Sequence, residues 1–320
     1  MPGKLQPDIL QKSVLSYIGA EREDLIIGGG LAEDAALIKI PAGLLVIASD
    51  PIVGAEKNSG RLLVQVNAND VACKGADPMW LIVTLIIPEA GGVLQVERIM
   101  REINKTCSEM GIAVAGGHTE MTDRYSQPVI SGTMFGITEY KFSVKNISDG
   151  DLILITGHAG LEGMSIIAND RADLFAKIFN SDEINLIRSW SENLSVVPAA
   201  KILREFANYM HDPTEGGING ALYEICAASG LGVELEKNNI PIDEFTIRAA
   251  KELNFEPLNL ISSGMLIASI PENKIKDAQS KLKSAGINSS VIGKFVSGKK
   301  IFFNAHEELW GILSRRKFAK

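Results

Sequence analysis

"NANDVACKGADPMWLIVTLII", residues 67–87, decides how the chain is read. Its first part closes a helical pattern over 59–75, where Leu62, Leu63, Val66 and Cys73 recur at helical spacing. Its last part, 79–87, is an apolar run far too short to span a bilayer, and reads as a buried strand stopped by Pro88. Asp70 falls four residues after Val66 and seven after Leu63, on the apolar face of that helix. A carboxylate is expensive to bury there unless it is paired, protonated or bound to a metal.

Outward from this stretch the first half reads β-α-β-α-β-β. "LLVIASD" (44–50) is a buried strand with Asp50 at its C-terminal end, a usual place for functional groups in α/β proteins. A helix over about 93–110 stops at Gly111. "IAVAGG" leads as a short strand into "HTEMTD", and "PVISGTMFGIT" (128–138) closes the half. The polar, turn-rich "YKFSVKNISDGD" (140–151) is the expected joint, dividing the chain into domains 1–145 and 146–320. Beyond it come a strand at 152–156, glycine-rich "GHAGLEG", helices through about 160–209, strands at 233–236, 264–270 and 290–295, and a helix at 272–285.

"HDPTEGGINGALYEI" (211–225) starts a helix in an unusual way. Ile218, Ala221, Leu222, Ile225 and Cys226 form one apolar stripe, so the helix is real and Gly216 and Gly217 stand at its N-terminus. That end carries unpaired N–H groups and a partial positive charge, and glycine lets a phosphate approach the backbone. Thr214 suits a cap. Asp212 beside a phosphate makes sense with Mg²⁺ between them. A capped turn explains the same residues taken alone. Acids at element ends recur, however: Glu33 and Asp34 after three glycines in "GGGLAEDAALI" (28–38), Asp50, Asp70, and Glu120 in "GGHTE" (116–120). Five such places favour a shared metal–phosphate pocket.

The 320 residues carry a net charge of −7, which argues against a dedicated nucleic-acid binder. Three isolated cysteines, with no CxxC pair, fit a reducing cytoplasm, and the N-terminal stretch shows no apolar signal-peptide core. Lys74 and Arg61 read as surface charges, and Cys73 and Cys107 as packing residues. There is no P-loop motif, "GGGLAE" is a poor dinucleotide fingerprint, "HEELW" is half a zinc motif, and no GxSxG is present.

"NDVACKGADP" is similar to the Asp-x4-Gly-Ala-x-Pro signature of the aminoimidazole ribonucleotide synthetase (PurM) superfamily. "AEDAA", "ASDP", "GGHTE", "HDPTEGG" and "LISSGMLIASIP" follow in that superfamily's order over nearly the whole chain. Within it the chain most resembles the hydrogenase-maturation HypE group. The resemblance implies an α/β (α+β), PurM-like two-domain fold. An N-terminal sheet domain would pair with a second subunit into a dimeric barrel-like core, beside a C-terminal α+β domain. It implies ATP and Mg²⁺ as cofactors, and phosphoryl transfer that activates a carbonyl, amide or related acceptor of unknown identity.

Carried over residue by residue, Asp34, Asp50, Asp70 and Asp212 would be metal or phosphate-site acids, with Asp70 and Asp212 central to catalysis. Asn69 would position the nucleotide or its metals. Gly116, Gly117, Thr214, Gly216 and Gly217 would shape the phosphate site, with Gly28, Gly29 and Gly30 as a flap and Lys4 reaching in. "GGHT" departs from the Gly-Gly-Asp-Thr usual in HypE and thiamine-monophosphate kinase. His118 stands for that acid as a metal ligand, a substrate contact or a hydrogen-bonding neighbour, and Glu120 can take over the charge. The chain ends "SRRKFAK" without the terminal cysteine carrier of HypE. Two alternatives therefore accompany the enzyme reading: a non-catalytic ATP-binding maturation factor with a protein partner, and a small-molecule kinase.

Overall fold

Alternating apolar residues in the first half build a six-stranded sheet. Its strands are β1 (Leu25–Ile27), β2 (Ala36–Ile40), β3 (Gly43–Ile52), β4 (Asp77–Pro88), β5 (Ala113–Thr122) and β6 (Val129–Thr138), in the order β1-β2-β3-β6-β4-β5. The structure, a computed structural model, describes residues 25–27, 31–33, 36–40, 43–53, 55, 57–298 and 304–315. Lys4, Gly28, Gly29, Gly30 and Asp34 lie outside the described residues.

One face of this sheet turns Val46, Leu81, Val83, Leu85, Ile130 and Met134 into a core closed by α1 (Ser59–Cys73) and α2 (Gly92–Met110). From α2 come Ile99, Ile103 and Cys107, and full burial of each such aliphatic side chain contributes roughly 1.5–3 kcal/mol. Burial pushes the Cys107 thiol up to about 11, which suits packing and not nucleophilic chemistry. On the opposite face Trp80 and Ile82 are exposed, and Leu45, Ile47, Phe135 and Ile137 are half-buried.

The second half forms a five-stranded sheet of β7 (Leu152–Thr156), β8 (Tyr209–His211), β9 (Gly232–Leu235), β10 (Leu266–Ile270) and β11 (Ser289–Val296), ordered β8-β10-β7-β11-β9 with antiparallel neighbours. Its helices are α3 (Leu161–Asp170), α4 (Ala172–Phe175), α5 (Ser181–Ser189), α6 (Val197–Leu203), α7 (Gly217–Ser229), α8 (Glu244–Leu253), α9 (Ile275–Ser284) and α10 (Leu309–Leu313). β7 and β10 are buried on both faces, so their near-continuous apolar sequences need no alternation. Ile153, Ile155 and Ile267 pack with the α7 stripe of Ile218, Ala221, Leu222 and Ile225. Leu154, Leu266 and Ala268 pack with Ala199, Leu203 and Leu282 of α6 and α9.

The fold class is the expected one, and most elements fall within a few residues of their expected bounds. The helices expected through about 160–209 are present as α3 to α6, and local signals set their limits. Asn180 and Glu183 form a reciprocal capping box that starts α5 afresh, Pro198 sits in the first turn of α6, and residues 209–211 join the sheet as β8.

α1 belongs to both halves. Leu63, Val64, Ala68 and Val71 enter the first core, while Ala72 and Cys73 enter the core with Leu154, Met210 and Leu266. Lys74, at its C-terminal end, corrects the reading of a surface charge. It is 1% exposed and pairs with Glu33. Glu33 also accepts from the Ser143 hydroxyl (2.8 Å) and the Val144 N–H (3.3 Å), and Tyr209 Oη donates to the Ala32 carbonyl. Ala32 and Glu33 are thus tied to the joint between the two sheets and to β8.

β10 runs antiparallel to both β7 and β8, with Leu266 opposite Thr156 and Ile267 opposite His211. The segments after β7, after β8 and before β10 therefore meet at one end of the sheet. They pass so close that glycine is required. A Cβ on Gly157 would lie 2.5 Å from the Gly264 carbonyl oxygen, and one on Gly217 (φ +57°) 2.6 and 2.7 Å from those of Leu258 and Leu260.

Two predictions concern these ties. Gly217→Ala loses more than about 3 kcal/mol of stability in urea, from strain at positive φ combined with a backbone clash, whereas Gly230→Ala, with open space around it, loses about 1 kcal/mol. Lys74→Met alone loses about 3–5 kcal/mol by stranding buried Glu33, and Lys74→Met with Glu33→Leu recovers most of the loss in a double-mutant cycle.

Candidate functional site

The polar residues of α1 are held by main chain on both sides. Fully buried Asn67 accepts from the Asp50 N–H (2.9 Å) and donates to the Leu63 carbonyl (2.8 Å) and, at 3.3 Å, to that of Asp50, fixing the acid-bearing end of β3 to the helix. Asn69 donates to the Leu194 carbonyl and accepts from the Val196 N–H, both at 2.8 Å. Its amide, expected to position a nucleotide, is engaged here with the segment leading into α6. Asn67 carries the tie to Asp50 and was not singled out in the sequence, where nothing distinguishes one asparagine of "NAND" from the other.

Asp70 is 6% exposed and Asp212 fully buried. The Cys73 thiol donates to Asp212 Oδ1 at 3.7 Å, and Asp70 lies one turn before Cys73 on the same face of α1. The structure therefore sets both carboxyl groups along the seam between α1 and the end of β8. His211, next to Asp212, is buried with Nε2 3.7 Å from Glu224. These are hard oxygen donors of the kind Mg²⁺ prefers, and Mg²⁺ commonly takes one or two carboxylates and completes its shell with water and phosphate. Among the described residues no three His, Cys, Asp or Glu side chains are grouped to hold a metal unaided. The donor set fits an ion whose shell phosphate oxygens complete.

His118 and Glu120 stand elsewhere. "GGHTE" lies within β5, exposed at the sheet edge, not at a strand's end. His118 Nε2 is 3.5 Å from Glu120 Oε2, and the side chains are 69% and 63% exposed. Asp50 pairs with Gly132, Gly132 with Val83, and Val83 with Gly117. Three strand spacings, about 14 Å, thus separate Asp50 from this edge. Gly117 has an explanation in packing, since a Cβ there would fall 1.9 Å from the Val83 carbonyl oxygen, whereas one on Gly116 would meet open space.

At the N-terminus of α7 the cap is Gly216 (φ +81°), with no side-chain cap bond, and the Thr214 carbonyl, not its hydroxyl, accepts the Gly217 N–H (3.0 Å). Glu307 accepts an N–H at this helix end. Its Oε2 accepts the Gly216 N–H at 2.6 Å, while Oε1 accepts from Ile261 (3.2 Å) and Leu309 (2.7 Å). "HEELW" is therefore a docking motif, and its histidine joins a chain from Asn219 through Asn259 to His306 and Glu308. Burial pushes the Glu307 carboxyl up to about 7, the three N–H groups restrain the rise, and Glu215 adds to it.

Glu162, in the first turn of α3, is the second carboxyl at this end of the sheet. It is 4% exposed. Burial pushes it up to about 7, the Ser263 hydroxyl and N–H restraining the rise and Glu215 adding to it. Its helix is held to the strand-leading segment by the Gly163 N–H on the Ile261 carbonyl (3.1 Å) and the Gly160 N–H on Ser262 Oγ (2.8 Å). Neither glutamate was singled out as a site residue. The sequence shows an acid at a helix start, and burial there arises from contacts about 100 residues apart.

Both glutamates rise from the ordinary value of 4.5 to about 7. Between those values the unfolded chain has released protons that the fold retains, so stability falls as pH rises from about 4.5 to about 7. Urea midpoints followed across that range should decline, and Glu162→Gln should flatten the decline.

The description "AIR synthase related protein, N-terminal domain" matches residues 32–138, and "AIR synthase related protein, C-terminal domain" matches 148–306. A putative hydrogenase expression/formation protein of Methanocaldococcus jannaschii is 26% identical over 306 residues, covering 91% of this chain and 88% of its own. The carbamoyl dehydratase HypE of Azotobacter vinelandii is 27% identical over 280 residues, covering 84% and 80%. Among solved structures, the HypE–HypF complex gives a TM-score of 0.72 at 23% identity over 84% of this chain and 88% of that one. HypE in complex with ATP gives 0.69 at 22% (91% and 86%), and AaThiL complexed with AMPPCP and TMP gives 0.71 at 19% (85% and 87%). All three share the fold. The chain belongs to the AIR synthase related family, with the PurM-like fold.

Proposed function

We propose that the chain is a HypE-like enzyme that uses Mg-ATP to activate a carbonyl, amide or related acceptor by phosphoryl transfer. The observation that carries this reading is the pair of buried carboxyl groups, Asp70 and Asp212, brought to one seam from the two halves of the fold. The relatives named carbamoyl dehydratase HypE support it, as do fold neighbours solved with ATP and with AMPPCP.

In this reading Asp50, Asp70 and Asp212, with Asp34, would hold Mg²⁺, which would supply charge neutralisation on the phosphates. The acceptor's carbonyl oxygen attacks the γ-phosphorus, the bond to the bridging oxygen breaks, and ADP leaves. Phosphate then departs from the activated carbon, either as a nucleophile adds or as a nitrogen proton is lost. The buried seam excludes water from that step. Asn67 keeps Asp50 in register, and Asn69 holds α1 against the second half. A homodimer is part of the proposal: the first sheet leaves Trp80 and Ile82 exposed on one face and, among the described residues, β5 without a neighbour at its edge, where His118 and Glu120 could serve a second copy's site.

The second reading is an ATP-binding maturation factor that works with a protein partner. The fold neighbour solved as a HypE–HypF complex favours it. Product analysis separates both from a small-molecule kinase, which leaves a stable phosphorylated product. The three unpaired cysteines support a cytoplasmic setting, and among the described residues no helix is long and apolar enough to cross a membrane.

Calorimetric titration with ATP, with and without Mg²⁺, on protein whose association state is fixed by sedimentation, tests the reading. Wild type binds saturably and only with Mg²⁺. Asp70→Asn and Asp212→Asn melt cooperatively yet bind at least about 100-fold more weakly, since even groups outside a metal's own shell are worth 10–100-fold. Unchanged binding in both folded variants removes the proposed site.

A further inference from the structure

Glu307 holds together parts of the chain that lie far apart in sequence. Its Oε2 accepts the Gly216 N–H, and its Oε1 accepts those of Ile261 and Leu309. The segment that carries it is docked along its length. Glu308 accepts from the Glu256 N–H (3.1 Å) and donates its own N–H to the Asn259 carbonyl (3.3 Å). Leu309 and Ile312 enter the core with Met164, Ile167 and Leu260. Beyond them, buried Arg171 donates to the carbonyls of Ile312 (2.9 Å), Leu313 (3.2 Å) and Arg315 (2.9 Å). Through Glu307 this anchored segment reaches the loop that bears Asp212.

That loop is short and stiff. It leaves the sheet at His211, which pairs with Ile267, and enters α7 at Gly216, whose carbonyl accepts the Gly220 N–H (2.9 Å). Asp212 is four residues before Gly216, and Pro213 fixes a backbone angle between them. A shift at Gly216 is therefore passed on to Asp212. N–H bonds to an ionised carboxyl are about twice as strong as neutral ones. A carboxylate also serves three donors from two oxygens, whereas an amide offers one oxygen and turns its own N–H groups toward a donor. The residue type thus matters as much as the contact.

We propose that Glu307 is a positioning residue: by tying the start of α7 to the 258–265 loop, it sets where the Asp212 carboxyl stands in the Mg-ATP site. The role rests on the Mg-ATP reading for what Asp212 does there, and on the three N–H bonds for how its loop is held. Glu307 acts through the loop and touches neither nucleotide nor metal. The Cys73 thiol, which donates to Asp212 Oδ1 at 3.7 Å, reports on Asp212 directly and needs no nucleotide to do so, because its S–H stretch moves when its acceptor moves.

The infrared S–H band of Cys73, assigned by difference against Cys73→Ala, and calorimetric Mg-ATP titration are measured on full-length wild type, Glu307→Gln, Glu307→Asp and Arg171→Lys. The buffer is held at pH 8, above the value of about 7 to which burial pushes Glu307, so that its carboxyl is largely ionised. Glu307→Gln should move the Cys73 band and weaken Mg-ATP binding about 10-fold or more. Glu307→Asp, which keeps the charge and loses reach, should fall between it and wild type. Arg171→Lys, which loosens the same segment at its far end, should lower the melting temperature and change neither readout. An unmoved band in the folded Glu307 variants, an equal response from Arg171→Lys or, where wild type binds, unchanged affinity in both Glu307 variants overturns the proposal. If wild type binds no Mg-ATP, the ATP reading falls and the band alone decides. Movement confined to the Glu307 variants then keeps Glu307 as the residue that places Asp212, and no movement removes it.

Discussion

α1 is buried on nearly every side although its second half reads Asn-Ala-Asn-Asp, and the rest of the structure depends on how that is made tolerable. A helix in this position normally presents apolar residues all round. Here Asn67 and Asn69 face opposite neighbours, and each meets main-chain groups that need a partner as much as it does. The asparagines satisfy backbone that the two halves would otherwise leave unpaired, at the end of β3 and before α6. Packing supplies the area of contact, and these bonds set its register. Asp50 and Asp70 are positioned as a consequence, because each sits on or within a few residues of a group so tied, and Asp212 is met from the same helix by the Cys73 thiol.

The same economy appears at the end of the second sheet. Glycines there serve close passage of main chain past main chain, and the space expected for a phosphate at Gly217 is taken by the carbonyls of Leu258 and Leu260. The positive end of α7 still receives an anion, which comes from the chain's own Glu307. A helix N-terminus announces that an anion will be stabilised; it does not say whose. Glu307 remains hard to ionise despite three N–H partners because burial outweighs them. Glu162, with fewer donors, has the same difficulty, burial again being the main cause.

Local pattern carried far in this chain. The helix ending near Cys73, the strand stopped at Pro88, the LILIT strand and the α7 stripe follow from periodicities within one element, and each was legible. Asp70 was legible too, since its place on an apolar face is a property of a single helix. What was not legible depends on residues far apart. Lys74 looks like a surface lysine until Glu33, 41 positions away, is laid against it. Glu307 lies 91 positions from the N–H it caps. "GGHTE" looked like a strand end because glycine weakens strands. The structure gives the second of those glycines, Gly117, to a parallel pairing in which β5 must clear the Val83 carbonyl.

Edge position also decides what β5 can do. A ten-residue strand, exposed on both faces and without a neighbour along one edge among the described residues, carries His118 and Glu120 away from Asp50. The strand spacing fixes that separation, and no side-chain rotation closes about 14 Å. Two outcomes are open to such a strand: its polar residues are solvated and idle, or they face another chain. Unpaired edges with apolar neighbours such as Val114 and Met121 are seldom left to solvent, because they invite pairing with whatever arrives. Pairing with a second copy would cover that edge and the Trp80 and Ile82 face together. His118 and Glu120 would then act, if they act on phosphate at all, from across the junction between two chains. The departure from Gly-Gly-Asp-Thr would therefore alter a site shared by two subunits and leave the intrachain seam of Asp70 and Asp212 intact.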